Sequence, residues 1–334
     1  MEYNKKKLLF VVNPRSGKHN KTDLVALIER DVDCRMFDFR VVYTEYAGHA
    51  EELASEAIRT GVDMVVAVGG DGTVNEVGRA LIHTSTALGI IPCGSGNGLA
   101  RHLHIPLDVQ KALATINSFE VKSIDYGKIN GHPFFCTCGV GFDAFVSSLF
   151  ANSKERGPLS YVENVLKSFV SYQSETYEIE TEDGNTTYQA FLVACANASQ
   201  YGNNAYIAPH AKLDDGLMDV TIIQPFNLLD AGSIAVDLFA KTLDKNNLIH
   251  TLRCRSLHIH RVQQGIAHYD GDPIMLGKDL CIEIIPQGIR VLVGKEEKRL
   301  EPANVLRHVV VLFDGVRPID ETIREQLRER LKFQ

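Results

Sequence analysis

A single acid stands among three glycines at residues 69–73, where the chain reads Gly-Gly-Asp-Gly-Thr. The motif follows an apolar run at residues 63–68, which is typical of a buried parallel strand. Glycine permits positive φ and a close approach of the backbone to a ligand, and successive N–H groups in such a turn bind anions. Because Asp71 would repel a phosphate, we expect a divalent cation between the two. The pattern predicts a nucleotide–Mg²⁺ site; the alternative is a tight turn in which Asp71 caps the next helix.

Two further loops are expected at the same edge of the sheet. Residues 13–18 read Asn-Pro-Arg-Ser-Gly-Lys after the first predicted strand, and residues 94–98 read Gly-Ser-Gly-Asn-Gly after the fourth. The first loop is not a Walker A motif, since Val12 stands where its first glycine should be. Its basic residues are still available for phosphate, although a purely structural turn explains that segment equally well. Three such loops at one edge are hard to explain by turn chemistry alone.

Alternating strands and helices over the first 120 or so residues predict a doubly wound parallel α/β sheet. The predicted strands are residues 7–12, 37–43, 63–68 and 88–91, and the predicted helices are residues 22–30, 49–60, 74–82 and 109–118. Ligands of such sheets bind at the carboxyl ends of the strands, which is where the three loops fall.

From about residue 121 the pattern changes to hairpins, which predicts a β-rich, antiparallel and sandwich-like second domain. Its predicted strands are residues 123–129, 133–138, 176–181, 188–196, 218–223, 256–260, 280–285 and 289–293, with helices at 161–170 and 228–242. We expect an ATP-binding domain at residues 1–120 and the second domain at 121–300. A C-terminal segment at 301–334, with a strand at 304–313 and a helix at 319–331, is expected to pack back on the first domain.

Composition excludes several classes of protein. The 334 residues are 45% hydrophobic and 23% charged, as in ordinary globular proteins. A net charge of −7 argues against a nucleic-acid partner. Seven cysteines without the spacing of a disulfide framework indicate reduced thiols in the cytoplasm. No apolar run approaches the roughly 18 residues of a transmembrane segment, so contact with a membrane is expected only at its surface.

Taken together, the three loops resemble the diacylglycerol kinase catalytic family, which includes bacterial soluble lipid kinases, sphingosine kinases and ceramide kinases. The resemblance continues through the segments 139–143, 213–217 and 270–272, so that it covers roughly residues 7–294. It implies an ATP- and Mg²⁺-binding α/β domain and a β-rich lipid domain. The lipid headgroup and the γ-phosphate of ATP would meet in the cleft between them.

The nucleotide site is the most specific part of this resemblance. The residues expected to bind the nucleotide are Asn13, Pro14, Arg15, Ser16, Gly17, Thr44, Gly69, Gly70, Asp71, Gly72, Thr73, Asn75, Glu76, Gly94, Ser95 and Asn97. Ser95 stands where many bacterial members have Thr, and Gly98 stands where they have Asp. The Gly-Ser-Gly-Asn form is closer to the sphingosine kinases.

Carboxylates supply the remaining chemistry that the resemblance implies. A structural Mg²⁺ is expected on the carbonyls of Lys212 and Leu217 and the carboxylate of Asp215, with a plain hairpin turn as the alternative. Asp270 and Asp272 match a family Asp-Gly-Glu motif that is linked to the general base, and we assign them jointly to catalysis with Asp71. Asp272 is one methylene shorter than the family Glu, and a solvated turn is the alternative explanation.

The acceptor of the phosphoryl group is the least determined part of the site. Phe142 and Phe145 are expected in the lipid wall, and Asp143 is expected to contact the headgroup. The leading hypothesis is a kinase of a lipid primary hydroxyl, on diacylglycerol, a sphingoid base or a related lipid presented at a membrane surface. A kinase of a soluble acceptor such as NAD and a non-catalytic nucleotide-binding regulator are the alternatives. Exposed edges of the β-rich domain could pair two copies into a homodimer.

Overall fold

Four strands form the parallel part of the larger sheet. In the computed structural model, which describes residues 5–17, 21–152 and 172–295, they lie in the order β2 (Phe37–Tyr43), β1 (Lys6–Val12), β3 (Met64–Gly69), β4 (Ala87–Pro92). β3 and β4 are buried along their whole length, as expected of central strands between layers of helices. The predicted helix at 161–170 and the predicted C-terminal segment at 301–334 lie outside the described residues.

Helices connect these strands and cover the sheet. They are α1 (Lys21–Asp31), α2 (His49–Arg59), α3 (Asp71–Leu81), α4 (Gly98–His102) and α5 (Val109–Ser118). α1 packs with α5, and α2 packs with α3. The predicted start of α3 at residue 74 is wrong by three residues, because glycine lowers helix propensity and the tertiary contacts of Asp71 override it. The last three residues of the 69–73 motif therefore form the first turn of α3.

The remaining strands form a β-sandwich with the far half of the same sheet. The elements that follow are β5 (Val121–Ile129), β6 (His132–Phe134), β7 (Thr137–Gly141), α6 (Phe142–Asn152), β8 (Glu175–Thr181), β9 (Gly184–Ala190), β10 (Leu192–Ala196), β11 (Met218–Ile223), α7 (Leu228–Ala240), β12 (Ile249–Cys254), β13 (Ser256–Arg261), β14 (Gly265–Tyr269), β15 (Asp272–Leu276) and β16 (Asp279–Leu292). A six-stranded sheet has the order β12-β11-β10-β7-β14-β15, and a second buried apolar cluster separates it from the other sheet. The fold class expected from the sequence, an α/β domain followed by an antiparallel sandwich, is confirmed.

Several predicted strands have different limits in the structure. The runs predicted at 133–138 and 188–196 are each two strands, and the two strands belong to different sheets. The chain changes sheet inside an uninterrupted apolar run, so no turn residue marks the break. The runs at 280–285 and 289–293 are instead one strand, β16, with a bulge between Ile285 and Ile289. β12, β14 and β15 were not predicted.

β16 joins the two halves of the molecule. It pairs with β5 and β13 in antiparallel fashion, and Val291 pairs with Leu88 of β4 in parallel. The chain thus returns to the first domain before residue 301, and the larger sheet is continuous across the expected domain boundary at 120/121.

A buried carboxylate on β5 holds this junction together. Asp125 accepts hydrogen bonds from the N–H groups of Gly216 (2.7 Å) and Gln287 (2.8 Å), and its own N–H donates to Leu213 (2.6 Å). Buried polar groups need such partners, since an unpaired one costs free energy of folding. Asp125 therefore fixes both the 213–217 loop and the bulge of β16.

We expect the substitution Asp125→Ala to lower the free energy of unfolding by about 2 kcal/mol, because it leaves two partly buried N–H groups without an acceptor. Urea unfolding followed by circular dichroism measures this. Asp38→Ala, at an exposed position on β2, is the control and should change stability by less than about 0.5 kcal/mol. Equal stability of the two variants would contradict the role of Asp125.

Candidate functional site

A cavity of about 330 Å³ opens at the carboxyl ends of β1, β2 and β3. It is lined by Asn13, Arg15, Ser16, Thr44, Glu45, Tyr46, Ala47, Gly70, Gly72, Thr73 and Glu76. Eight of these eleven residues belong to the nucleotide-binding set expected from the sequence; the three unexpected ones are residues 45–47. The volume lies at the lower end of the range for small-molecule sites. The loops after three neighbouring strands thus meet at one edge of the sheet.

The other eight expected residues do not line this cavity. They are Pro14, Gly17, Gly69, Asp71, Asn75, Gly94, Ser95 and Asn97. Asn75 is buried on α3, and Ser95 is exposed on the loop after β4. The 94–98 loop therefore does not line the cavity, although Gly94 packs against Gly70, which does.

The carboxylate of Asp71 ties two of the three loops together. Its two oxygens accept hydrogen bonds from the N–H groups of Asn97 and Gly98, both at 2.8 Å. α3 begins at Asp71 itself, after the N-cap residue Gly70, so Asp71 lies within the first turn and is not the helix cap. The carboxylate instead joins the start of α3 to the start of α4.

Glycine at two positions allows these loops to touch. A Cβ atom on Gly94 would lie 2.7 Å from the Cα of Gly70, and one on Gly96 would lie 2.8 Å from Oδ2 of Asp71. Any other residue would push the loops apart. Glycine at these positions is needed for contact between the loops, whether or not a ligand is bound.

Two asparagines give the loops their shape. Asn13 donates through Nδ2 to the Thr73 hydroxyl (3.1 Å) and accepts the N–H of Arg15 (2.9 Å). Asn97 bonds both the N–H and the carbonyl of Gly94, at 3.0 and 2.8 Å. The first set joins the β1 loop to the start of α3, so that Arg15 and the first turn of the helix line the same cavity.

Glu76 closes the cavity on the side of α2. Its carboxylate accepts hydrogen bonds from the N–H groups of Gly48 (2.9 Å) and Ala50 (3.1 Å). These groups belong to the N-terminus of α2, where negative charge is favourable. Glu76 therefore positions the loop at residues 44–48 against α3.

The turn between β14 and β15 holds two acids in different surroundings. Asp270 accepts three backbone hydrogen bonds, from Phe135 (2.7 Å), Cys136 (2.7 Å) and Thr137 (3.0 Å). Burial nevertheless raises the pKa of Asp270 to about 6, since it outweighs these bonds. Each oxygen of Asp270 is occupied by the chain, which fixes the turn against β7.

Asp272 lies on the open side of that turn and faces the first domain. Its side chain is 52% exposed, and one carboxylate oxygen lies 3.9 Å from a guanidinium nitrogen of Arg79. Arg79 also lies 3.4 Å from Glu51. Burial raises the pKa of Asp272, and Arg79 partly offsets this. Asp272 is thus the acid of this turn that a ligand could reach.

Arg79 was not expected from the sequence, although its helical spacing from Gly72 and Glu76 indicates that it lies on their face of α3. Gly72, Glu76 and Arg79 recur at i, i+4 and i+7, so they share one face of α3. Because Gly72 and Glu76 line the cavity, the same face leads from the cavity to Asp272. The charge pattern of α3 could therefore have identified Arg79.

Asp143 lies in a largely buried network and away from the cavity. Its Oδ2 accepts the Tyr201 hydroxyl (2.9 Å) and contacts Nε2 of His268 (3.0 Å), while Oδ1 accepts the N–H of Ala144 (2.7 Å). Burial and the nearby carboxylate raise the pKa of Tyr201. The N–H of Gly271 points to Nδ1 of His268 at 3.4 Å. A headgroup contact of Asp143 stays a prediction.

A loop of the second domain packs against the 94–98 loop of the first. Arg101 donates to the carbonyl of Gly96 (2.9 Å) and to the side chain of Asn204 (3.0 Å), and the N–H of Asn203 donates to the same carbonyl (3.0 Å). Tyr201 belongs to this second-domain loop. The network around Asp143 is thereby connected to the loop that Asp71 holds.

Phe142 and Phe145, expected in the lipid wall, belong to an aromatic cluster at the start of α6. The Phe142 ring lies 4.6 Å from Phe191 and 6.5 Å from Phe145, and Phe145 lies 5.6 Å from Tyr172. Phe142 is buried and Phe145 is partly buried. The cluster is part of a buried apolar core of the second domain.

The loop predicted to hold a structural Mg²⁺ already pairs its carboxylate with a cation of the protein. Asp215 binds the guanidinium of Arg253, which also lies 3.3 Å from Asp219, and accepts the N–H of Leu217 (3.1 Å). A metal ion on the carbonyls of Lys212 and Leu217 would have to share Asp215 with Arg253, and this site stays a prediction. Across residues 5–17, 21–152 and 172–295, no three His, Cys, Asp or Glu side chains are grouped as metal ligands.

Comparison with known proteins identifies the two halves separately. Residues 7–129 match the model of the diacylglycerol kinase catalytic domain. Residues 136–293 match the YegS C-terminal NAD kinase beta sandwich-like domain. The chain belongs to the diacylglycerol kinase catalytic family. Family membership indicates a phosphotransferase, and the resemblance seen in the sequence is confirmed.

Individual relatives are similar in sequence to this chain over most of its length. A protein of Pectobacterium atrosepticum named "Probable lipid kinase YegS-like" is 28% identical over 296 residues, which is 86% of this chain and 96% of that protein. A "Diacylglycerol kinase" of Staphylococcus saprophyticus is 26% identical over 273 residues, 80% of this chain and 89% of that protein. A crystal structure of a diacylglycerol kinase from Bacillus anthracis has a TM-score of 0.67 at 22% identity, over 87% of this chain and 98% of that one, and supports the fold.

The contact between the domains includes a histidine with a perturbed pKa. Nδ1 of His102 accepts the N–H of Ser199 (3.0 Å) and lies 2.9 Å from the Ser199 hydroxyl. Burial lowers the pKa of His102 from 6.5 to about 4, and the charge of His104 acts in the same direction. His102 is therefore neutral in the folded protein at neutral pH.

As the pH falls below 6.5, the unfolded chain binds a proton at His102 before the folded chain does, so folding loses stability down to about pH 4. We expect this histidine to account for about 3 kcal/mol of acid destabilisation. His102→Asn, whose amide oxygen can replace Nδ1 as acceptor, should remove that contribution, as measured by urea unfolding between pH 7 and pH 4.5. His258→Asn, on the exposed face of β13, is the control. Parallel stability curves for His102→Asn and the original chain would contradict the assignment.

Proposed function

We propose that this protein transfers the γ-phosphoryl group of ATP to a primary hydroxyl of a lipid, such as diacylglycerol, a sphingoid base or a related lipid. The observation that carries the proposal is the contact between Asp272 and Arg79. Arg79 lies on the face of α3 that lines the cavity, so the contact brings Asp272 to that face. An acid supplied by the second domain thereby faces a nucleotide cavity of the first. Family membership supports the phosphotransferase chemistry.

The phosphates of ATP would bind at the start of α3. The first-turn N–H groups of an α-helix have no partner within the helix and favour anions, and Gly70, Gly72 and Thr73 bring them to the cavity. Arg15 and Ser16 of the β1 loop line the same cavity. The fixed loops described above hold these donors in place before the ligand arrives, which reduces the cost of ordering them on binding.

The oxygen-rich donor set near the cavity fits a Mg²⁺ ion bound with the nucleotide. Glu76 and Thr73 line the cavity, Asp71 stands beside them in the first turn of α3, and their carboxylate and hydroxyl oxygens suit this ion. The carboxylate oxygens of Asp71 retain lone pairs beyond the two hydrogen bonds that they accept. When bound, the ion would neutralise charge on the phosphate oxygens.

Asp272 is the better candidate for the general base. The lipid hydroxyl must lose a proton as it attacks, and the acceptor of that proton has to reach the hydroxyl. Asp270 is saturated by three N–H groups, whereas Asp272 is half exposed in the cleft. We therefore separate the two acids that the sequence joined: Asp270 positions the turn, and Asp272 accepts the proton.

A lipid acceptor is favoured over a soluble one. The relatives carry names that denote lipid and diacylglycerol kinases. The apolar cluster around Phe142 and the partly buried Phe145 is the part of the second domain against which we place an acyl or sphingoid chain. The soluble alternative, with NAD as acceptor, is supported by the NAD kinase-like description of that domain.

We propose that the enzyme works in the cytoplasm and associates transiently with the membrane surface that presents its lipid. No helix among the described residues is long and apolar enough to cross a membrane. The outer strands β9, β12 and β15 are the edges of the second domain through which two copies could pair.

Incubation with [γ-³²P]ATP and Mg²⁺ tests the acceptor directly. We expect label in diacylglycerol or sphingosine supplied in mixed vesicles, and none in NAD. Asp71→Asn should reduce lipid labelling at least about 100-fold, because the amide cannot accept both the Asn97 and the Gly98 N–H. Asp108→Asn, which preserves the cap of α5, is the control and should keep full activity. Label in NAD alone would favour the soluble acceptor, and near-normal labelling by Asp71→Asn would exclude the mechanism.

The two acids of the turn can be separated by a pair of substitutions. Asp272→Asn should lower kcat by about 10²- to 10⁴-fold, with the KM for ATP and the melting temperature unchanged. Asp270→Asn should lower the melting temperature, because an amide cannot accept all three N–H groups. Steady-state kinetics and thermal unfolding of both variants measure this. An active Asp272→Asn enzyme would rule out Asp272 as the base.

A further inference from the structure

An aromatic ring of the first domain stands at the cavity with one face covered. Tyr46, on the loop between β2 and α2, stacks on the ring of His49 with centroids 4.6 Å apart and an interplanar angle of 7°. Tyr46 lines the cavity, and 52% of its surface is exposed. A half-exposed aromatic ring at a cavity offers a π-face on which a flat group can stack.

Hydrogen bonds fix this ring pair in place without any ligand. The Tyr46 hydroxyl donates to Glu52 (2.6 Å), and Nδ1 of His49 accepts the N–H of Glu45 (3.1 Å). The second bond leaves the proton of a neutral His49 on Nε2. Glu76 holds the same loop through Gly48. Four contacts therefore fix the orientation of the Tyr46 ring: the hydroxyl bond to Glu52, the stack on His49, and the bonds that hold the loop at Glu45 and at Gly48.

The position of Tyr46 within the cavity matches one part of a nucleotide. The N–H groups at the start of α3 and the guanidinium of Arg15 suit the phosphates, whereas Tyr46 and Ala47 give the cavity an apolar portion on the β2 loop. A purine base has a flat π-face that stacks on aromatic side chains. We infer that Tyr46 is the stacking platform of the nucleobase, with His49 as the support behind it.

This inference rests on the proposed function only in taking the ligand to be a nucleoside triphosphate; it does not depend on the acceptor. Stacking tolerates any base, because every base offers a π-face. The platform therefore contributes affinity for both ATP and GTP, and the choice between them depends on hydrogen bonds at the base edge. Binding of inorganic tripolyphosphate, which has no base, should not involve Tyr46.

Isothermal titration calorimetry of the full chain with MgATP, MgGTP and magnesium tripolyphosphate tests the platform. We expect Tyr46→Ala to weaken ATP and GTP binding about tenfold, as the loss of one base–aromatic stack predicts, and to leave tripolyphosphate binding within about twofold. Tyr46→Phe keeps the ring and should bind ATP nearly as the original chain does. The control Tyr43→Ala removes a ring that is 45% exposed at the end of β2 and does not line the cavity, so ATP affinity should not change.

Other results of these experiments would contradict either the stacking platform or the proposed function. Equal ATP affinity of Tyr46→Ala and the original chain would overturn the inference and leave the proposed function standing. Parallel weakening of ATP and tripolyphosphate would also overturn it, because Tyr46 would then act only by shaping the loop. An original chain that binds neither ATP nor GTP would contradict the proposed function itself. A chain that binds ATP through Tyr46 but labels no lipid would keep the platform and reject the lipid acceptor.

Discussion

The two hydrogen bonds that Asp71 accepts from Asn97 and Gly98 hold the rest of the site in register. They fasten the start of α3 to the 94–98 loop, and that loop is bonded through Gly96 to the second-domain loop that carries Tyr201. Tyr201 bonds Asp143, which bonds His268 beside the turn of Asp270 and Asp272. Hydrogen bonds between successive loops therefore connect the start of α3 to the turn that carries Asp272. Displacement of Asp71 would disturb both.

The close contact between the loops is a second physical reason for glycine at several positions of the site. The sequence suggests a backbone that approaches phosphate, and the cavity does contain Gly70 and Gly72. Gly94 and Gly96, however, are required because two loops of the protein approach each other there to within the space of a Cβ atom. A glycine-rich segment at a sheet edge thus reports close packing as well as ligand binding. Only the contacts distinguish the two.

Local patterns in the sequence predicted the parallel sheet and the three loops, because buried strands and turn residues are both local signals. The paths of the β-strands in the second domain were harder to predict. The change of sheet at residues 135–136 and at Phe191 occurs inside apolar runs, and only tertiary pairing shows it. Among site residues, Tyr46 and His268 were missed for the same reason. The role of a single aromatic or histidine residue depends on neighbours that only the tertiary structure brings together. Arg79 differs, since helical spacing from Gly72 and Glu76 would have placed it at the cavity face.

The carboxylates of Asp71, Asp270 and Asp272 differ in how many hydrogen-bond partners the folded chain already provides. We assign their roles from this difference. Asp270 has three N–H partners and Asp71 has two, so both carboxylates are committed to holding backbone in place. Asp272 has one distant cation, Arg79, and open space. A shorter side chain than the family Glu reaches less far, yet Arg79 approaches it from the nucleotide domain and counteracts the rise in pKa that burial causes. The acid that is least satisfied by the folded chain is therefore the one that we propose as the proton acceptor.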